Sequence, residues 1–259
     1  SARSRSAVVA CGSLPITSFE AFLNGDNYRG NNNKGSVKEY YRDVSDGLLL
    51  YTNLVIGYIR IPKSLHPRTY YNDVGRDSTA CANELIRDAL QLLRSQPNYA
   101  AEIAPRFEAL SVNEAGEVLA LNVFVTGADS GVWARGLWPH MDSLGIVGAQ
   151  PLGIGDKVVN LYQMTTTTFN GAAHQIGTFC HETGHLLCGF PDIYDYDSTS
   201  VGGAGGYCLM NNWVDLTNPQ HFCAYLKLMA GWATIDEIRA GPARTLTLRP
   251  PGTNGNHYA

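Results

Sequence analysis

The residues best placed to do chemistry are His181-Glu182-Thr183-Gly184-His185. Two histidines four residues apart on an α-helix differ by about 40° in direction, so both imidazoles face one point. A helix can thereby offer zinc two nitrogen ligands at about 2.0–2.1 Å. Glu182, next to the first histidine, can reach a zinc-bound water without ligating the metal. Zinc lowers the pKa of that water from about 15.7 to about 7. Glu182 would then accept its proton and deliver it to a leaving amine, as general base and acid. The bland alternative is a surface helix with a solvated His/Glu face. Ile176, Phe179, Cys180, Leu186 and Leu187 argue against it, because they make the segment apolar over much of its surface. Burying two histidines and a glutamate without a partner is costly, and a metal supplies one.

A catalytic zinc needs a third protein ligand and an open fourth position. The downstream residues resemble the metzincin pattern with one residue inserted. That pattern has Gly three residues after the second His and a ligand three further on. Here Cys188 and Pro191 occupy those places, and proline cannot ligate. One residue later, Gly189 and Asp192 restore the Gly-to-ligand spacing. Gly189 would turn the chain in a left-handed cap and bring Asp192 back beneath the metal. Asp195, Asp197, Cys188 and a residue from elsewhere in the chain remain competitors for the third place. Met210, closing Gly205-Gly206-Tyr207-Cys208-Leu209-Met210, stands where a metzincin Met-turn would pass below the zinc. Read alone, it is a core gap-filler.

Several residues carry weaker signals. Asp192, Asp195 and Asp197 with nearby carbonyls suit a structural calcium, or are a solvated acidic loop. Calcium at Asp192 would compete with its use as a zinc ligand. His140, after Trp138-Pro139, could line the cleft or orient a substrate carbonyl, or be a satisfied structural histidine. Tyr207 could offer its phenol to a transition-state oxyanion, or be a turn tyrosine. His174 lies near the helix start. Thr165 to Thr168 is a strand which, if it is an edge by the cleft, could take substrate by strand addition.

These residues need elements to hold them. Ala172 to Leu187 reads as the helix that carries both histidines, stopped by Gly189 and Pro191. Ser36 opens a helix over Val37 to Val44, with Glu39 at the capping-box position. Thr79 to Ser95 is amphipathic, with Leu85, Ala89, Leu92 and Leu93 at helical spacing. Asn218 to Ala230 is a further helix. Ala7 to Cys11, Leu48 to Ile61, Leu119 to Thr126 (central), Leu161 to Phe169 and Thr245 to Leu248 read as strands. Asn24 to Gly35, His66 to Asp77 and the aromatic Trp133 to Met141 read as loops. The expected class is therefore α+β, a mixed twisted sheet with an active-site helix and a loop-rich C-terminal part. Residues 1–259 form one domain, divided near 188/189 into a subdomain with the histidine helix and one with the Met-turn.

Composition agrees with a folded chain. Of 259 residues, 44% are hydrophobic and 16% charged, which argues against disorder. The net charge is −4 without a basic cluster, so no nucleic-acid partner is expected. No apolar run reaches the roughly 18 residues of a membrane helix. The chain begins at Ser1 without Met, and the simplest reading is a mature or trimmed product.

The segment from Phe179 through His181-Glu182-Thr183-Gly184-His185 and Gly189-Phe190-Pro191-Asp192 to Asp195 resembles the immune inhibitor A family of secreted bacterial metallopeptidases. Gly35 to Ser45 is similar to that family's early helix, and Gly136-Leu137-Trp138-Pro139-His140 to its mid-chain aromatic loop. The resemblance implies a secreted, metzincin-like zinc endopeptidase acting on proteins or peptides, often made as a zymogen. It implies His181, His185 and Asp192 as ligands, Glu182 as the base and Met210 as the turn. The alternatives are the same metal chemistry on a specialised glycoprotein or amide, or a non-catalytic zinc-stabilised adhesin. An exported chain with six cysteines raises the expectation of disulfides. Cys180 and Cys188 lie about 12 Å apart along one helix, too far to pair. Cys188–Cys208, Cys11–Cys81 and Cys180–Cys223 are the pairings to test.

Overall fold

The structure is a computed structural model. It describes residues 2–10, 15–145, 152–169, 172–200, 202–212, 214–236, 238–243, 245, 247 and 257–258. The elements run β1 (Ala2–Ala10), α1 (Ile16–Asn24), α2 (Val37–Val44), β2 (Leu49–Tyr58), α3 (Arg68–Tyr71) and α4 (Ser78–Arg94). There follow β3 (Leu121–Ala128), β4 (His140–Ser143), β5 (Leu152–Ile154), β6 (Lys157–Val159), β7 (Leu161–Phe169), β8 (Ala172–Ala173), α5 (Ile176–Cys188) and α6 (Ala224–Met229). The main sheet has the order β2-β1-β3-β7-β4, with β8 paired to β7. β1, β2, β3 and β7 pair in parallel, whereas β4 is antiparallel to β7. The class is thus mixed α and β around a mixed, twisted sheet.

Strand side chains alternate between faces, and the two cores follow that alternation. On one face Leu54, Val123, Val125 and Met164 pack against Leu85, Ile86, Ala89, Leu90 and Leu93 of α4. On the other, Tyr51, Val55 and Phe124 pack against Phe19 and Phe22 of α1, Tyr41 and Val44 of α2, and Phe179 and Cys180 of α5. Helices cover both faces, so the parallel strands are buried even where they are polar, as at Asn53, Asn122, Gln163, Thr165, Thr166 and Thr167. Local signals set the helix boundaries. Ser36 and Glu39 make the reciprocal capping box of α2, and the Asp77 carboxylate accepts from Thr79 and Ala80 N–H at the start of α4.

Three sequence expectations are corrected. The threonine run is not an open edge: β3 pairs along one side of it, β8 pairs with Thr168 on the other, His174 N–H donates to the Thr167 carbonyl, and Thr165, Thr166 and Thr167 are buried, whereas β4 pairs only with residues 161–164 ahead of the run. The histidine helix starts at Ile176, because Ala172–Ala173 pair with β7 and His174 turns the chain at φ +50°. The helix expected over Asn218 to Ala230 is only Ala224–Met229. The segment before it is held extended, with the Gln220 side chain reaching back to the carbonyls of Cys208 and Asn212. The strand expected over Thr245 to Leu248 lies largely outside the described residues.

Candidate metal centre

Distant loops fix the start of α5. Ile176 N–H donates to Asn33 Oδ1 at 3.0 Å, and Gly177 N–H to the Leu216 carbonyl at 2.8 Å. Along the helix, the Tyr41 hydroxyl of α2 donates to the Cys180 carbonyl at 2.7 Å. At its end Gly189 adopts the left-handed conformation (φ +62°), with its N–H on the His185 carbonyl and Phe190 N–H on Gly184. That is the cap expected of a helix-ending glycine, and it turns residues 190–192 back under the helix. Ile193 N–H then donates to the Met210 carbonyl at 2.9 Å. Met210 is fully buried. A Cβ on Gly184 would lie 3.1 Å from Met210 Sδ and 3.1–3.2 Å from the Phe222 ring. The glycine therefore lets the methionine turn pack directly beneath the helix.

The two imidazoles are held the same way. His181 Nδ1 is 2.8 Å from the Leu209 carbonyl, and His185 Nδ1 is 2.6 Å from the Phe190 carbonyl. A carbonyl only accepts, so each Nδ1 carries a hydrogen, and in the neutral ring each Nε2 presents a lone pair. The two Nε2 atoms are 3.2 Å apart. Asp192 Oδ1 is 3.1 Å from His181 Nε2 and 3.3 Å from His185 Nε2. Ligating atoms of His181, Glu182 and His185 also lie within 4.8 Å of one another. Asp192 Oδ1 is buried and takes no hydrogen bond from any other described donor. Three acceptors thus converge on one point, an arrangement that only a shared proton or a cation relieves. A tetrahedral ion with ligands at about 2.05 Å needs ligand separations of about 3.3 Å, which these three atoms already have. The buried His181-Glu182-His185 group can therefore bind a metal ion, with Asp192 fitted as the further ligand.

The charges follow from this geometry. Burial opposes a charged His181 ring, but the Asp192 hydrogen bond, the Glu182 charge and the Leu209 carbonyl outweigh it, and its pKa rises to about 9. Burial also pushes Asp192 upward, but the two imidazoles hold it well below the usual carboxylate range. Burial, then the charges of Asp192 and Glu182, push the Tyr194 phenol well above its ordinary value.

The site opens into a cleft of about 640 Å³. His181, Glu182, His185 and Asp192 form its floor, and Trp133, Trp138, Met141, Tyr194, Tyr196 and Leu216 are among its walls. His140 also lines it, but both ring nitrogens are engaged, Nδ1 with the Trp138 carbonyl at 2.7 Å and Nε2 with the Tyr162 hydroxyl at 3.0 Å. It braces the aromatic loop. His174 packs edge-on to Phe19 and Phe22, away from the ligand cluster. Tyr207 is 89% exposed and does not line the cleft, so it is not placed to meet an oxyanion there. The phenol beside the site is Tyr196, whose hydroxyl donates to Asp192 Oδ2 at 3.3 Å. The sequence reading missed it; its signal was a tyrosine four residues beyond Asp192. Asp195 and Asp197 do not join the cluster either. Their carboxylates accept N–H groups of Thr199 and Ser200 in their own loop. The five described cysteines are free thiols, so neither Cys188–Cys208 nor Cys180–Cys223 is bonded. Instead Cys208 Sγ accepts the Cys223 N–H. Cys11 lies outside the described residues.

No helix among the described residues is long and apolar enough to cross a membrane. No known family model matches the chain, and no curated protein matches it in sequence. The functional reading therefore stands on the site itself.

Proposed function

We propose that the chain is a secreted zinc-dependent endopeptidase of metzincin type, akin to the immune inhibitor A peptidases. One observation carries the reading. Asp192 Oδ1, His181 Nε2 and His185 Nε2 form a triangle with edges of 3.1–3.3 Å at the floor of an open cleft. His181, His185 and Asp192 would hold the ion. Zinc bound there supplies Lewis acidity, polarising a carbonyl and bringing the pKa of a water near 7. Glu182 has its carboxylate beside the imidazoles and facing the cleft. It accepts the proton of the attacking water and returns it to the leaving amine. The substrate backbone runs along β4, the terminal strand, whose His140 and Met141 line the cleft, and pairs with it by strand addition. Trp133, Trp138 and Leu216 receive its side chains.

The test is zinc content by mass spectrometry together with casein hydrolysis, with and without a chelator. About one zinc per chain and chelator-sensitive cleavage, restored by zinc, support the reading. Glu182→Gln should keep the zinc and lose at least about 10²-fold in turnover. Zinc without casein cleavage would move the reading to a specialised substrate. A folded chain that binds no zinc would overturn it.

A further inference from the structure

We propose that Cys208 and Cys223 form a cross-linking site that closes to a disulfide when the chain meets a small-molecule disulfide such as oxidised glutathione. The pairing differs from every one the sequence suggested, and it does not depend on the peptidase reading. Cys208 precedes Leu209-Met210 in the turn beneath α5, and Cys223 is the N-cap residue of α6. The Cys223 N–H donates to Cys208 Sγ at 3.2 Å. One N–Cα bond of about 1.46 Å then puts the Cys223 Cα within about 4.7 Å of that sulfur. Such a separation is compatible with a disulfide. Leu209 N–H on the His221 carbonyl at 3.2 Å already holds the two segments side by side.

The two thiols differ in access. Cys208 is buried and Cys223 is partly exposed, so Cys223 meets the oxidant first. Its thiolate attacks one glutathione sulfur and displaces the other as a thiolate, leaving a mixed disulfide on Cys223. The Cys208 thiol gives its proton to the released glutathione thiolate. Its sulfur then attacks the Cys223 sulfur and displaces the second glutathione as a thiolate, which takes from solvent the proton that Cys223 released on ionising. Two protein thiols are oxidised and one glutathione disulfide is reduced to two thiols. The bond would tether the turn whose Leu209 carbonyl orients His181 to the first turn of α6.

The experiment incubates the full chain with oxidised or reduced glutathione, alkylates free thiols under denaturing conditions, and maps peptides by mass spectrometry. It is run with and without chelator, so its outcome is separate from that of the zinc assay. The expected result is a Cys208–Cys223 cross-linked peptide pair two hydrogens lighter, reversed by dithiothreitol, with Cys180 and Cys188 alkylated. The two cysteines are 15 residues apart, and a loop of that size gives a melting-temperature rise of about 6–12 °C. Cys223→Ser should leave Cys208 alkylatable and abolish the rise. If both cysteines stay alkylatable under oxidised glutathione, carry glutathione alone, or pair with Cys180 or Cys188, the proposal is wrong.

Discussion

The convergence of three acceptors makes a quantitative demand on metal uptake. In the metal-free protein His181 shares a proton with Asp192, and its pKa of about 9 means the proton is present at pH 7. A zinc ion taking the same place must expel it. At pH 7 this costs about 2 pH units, or about 2.7 kcal/mol at 1.36 kcal/mol per unit. The apparent zinc affinity should therefore rise about tenfold per pH unit from pH 7 and level off near pH 9, about 100-fold higher. Titration calorimetry in two buffers of different ionisation enthalpy counts the proton directly. About one should leave His181 per zinc at pH 7, and none well above pH 9, in each case beside the proton released by a zinc-bound water of pKa about 7. Asp192→Asn removes the partner that raises His181, and burial then weighs more. Glu182 and the Leu209 carbonyl still raise the ring, but the pKa falls from about 9 and fewer of the variant chains carry the proton at pH 7 than in the wild type. Zinc uptake by the wild type without proton release at pH 7 would refute the argument, because the metal would then not be entering between these three atoms.

Two further predictions follow from the same geometry. Without metal, the raised His181 pKa contributes stability that is complete below about pH 6.5 and lost as pH rises through about 9. The depressed Asp192 pKa contributes stability present above about pH 4 and lost as pH falls further. Urea unfolding should therefore show a plateau between about pH 4 and 6.5, and a loss of up to about 3 kcal/mol by pH 9; a flat profile to pH 9 would contradict the pairing. Gly189→Ala meets no neighbouring atom within 4 Å, so its cost is the left-handed backbone alone, about 1–2 kcal/mol. Calorimetry should show melting lowered by about 2–8 °C with weaker zinc binding, and Gly189→Asn should recover part of both.

Much of this site was legible because its signals are local. The four-residue spacing of His181 and His185, the capping box at Ser36 and Glu39, and the terminating Gly189 each act within a turn or two of helix. Asp192 was legible because the glycine cap dictates where the chain goes next. Long-range pairing was not legible. Whether Thr165 to Thr168 lay at an edge depended on β8, a two-residue strand, and on the turn at His174, which carry little pattern of their own. The start of α5 depended on Asn33, remote in sequence, inside a segment that reads only as a polar loop. Tyr207 and Tyr196 look alike in sequence, and only the turn at residues 190–194 tells which one comes back to the cleft. Cysteine spacing excluded only the Cys180–Cys188 pair and carried no further connectivity.

The hydrogen bond from Ile193 N–H to the Met210 carbonyl has a consequence for how such a chain can change over generations. It makes residues 194–209 leave and rejoin the scaffold at one clamp, downstream of Asp192 and upstream of the turn's return. Lengthening a loop between fixed ends costs little, about 0.6 kcal/mol per doubling. Most of this excursion is exposed, and Tyr196 on it reaches the cleft wall. The exposed residues 196–200 of the stretch can therefore accept insertions and reshape what the cleft admits, while Leu209, which holds His181, and the side chains of His181, His185 and Asp192 keep their places. The fold thus separates a segment free to diversify from the residues that must stay fixed.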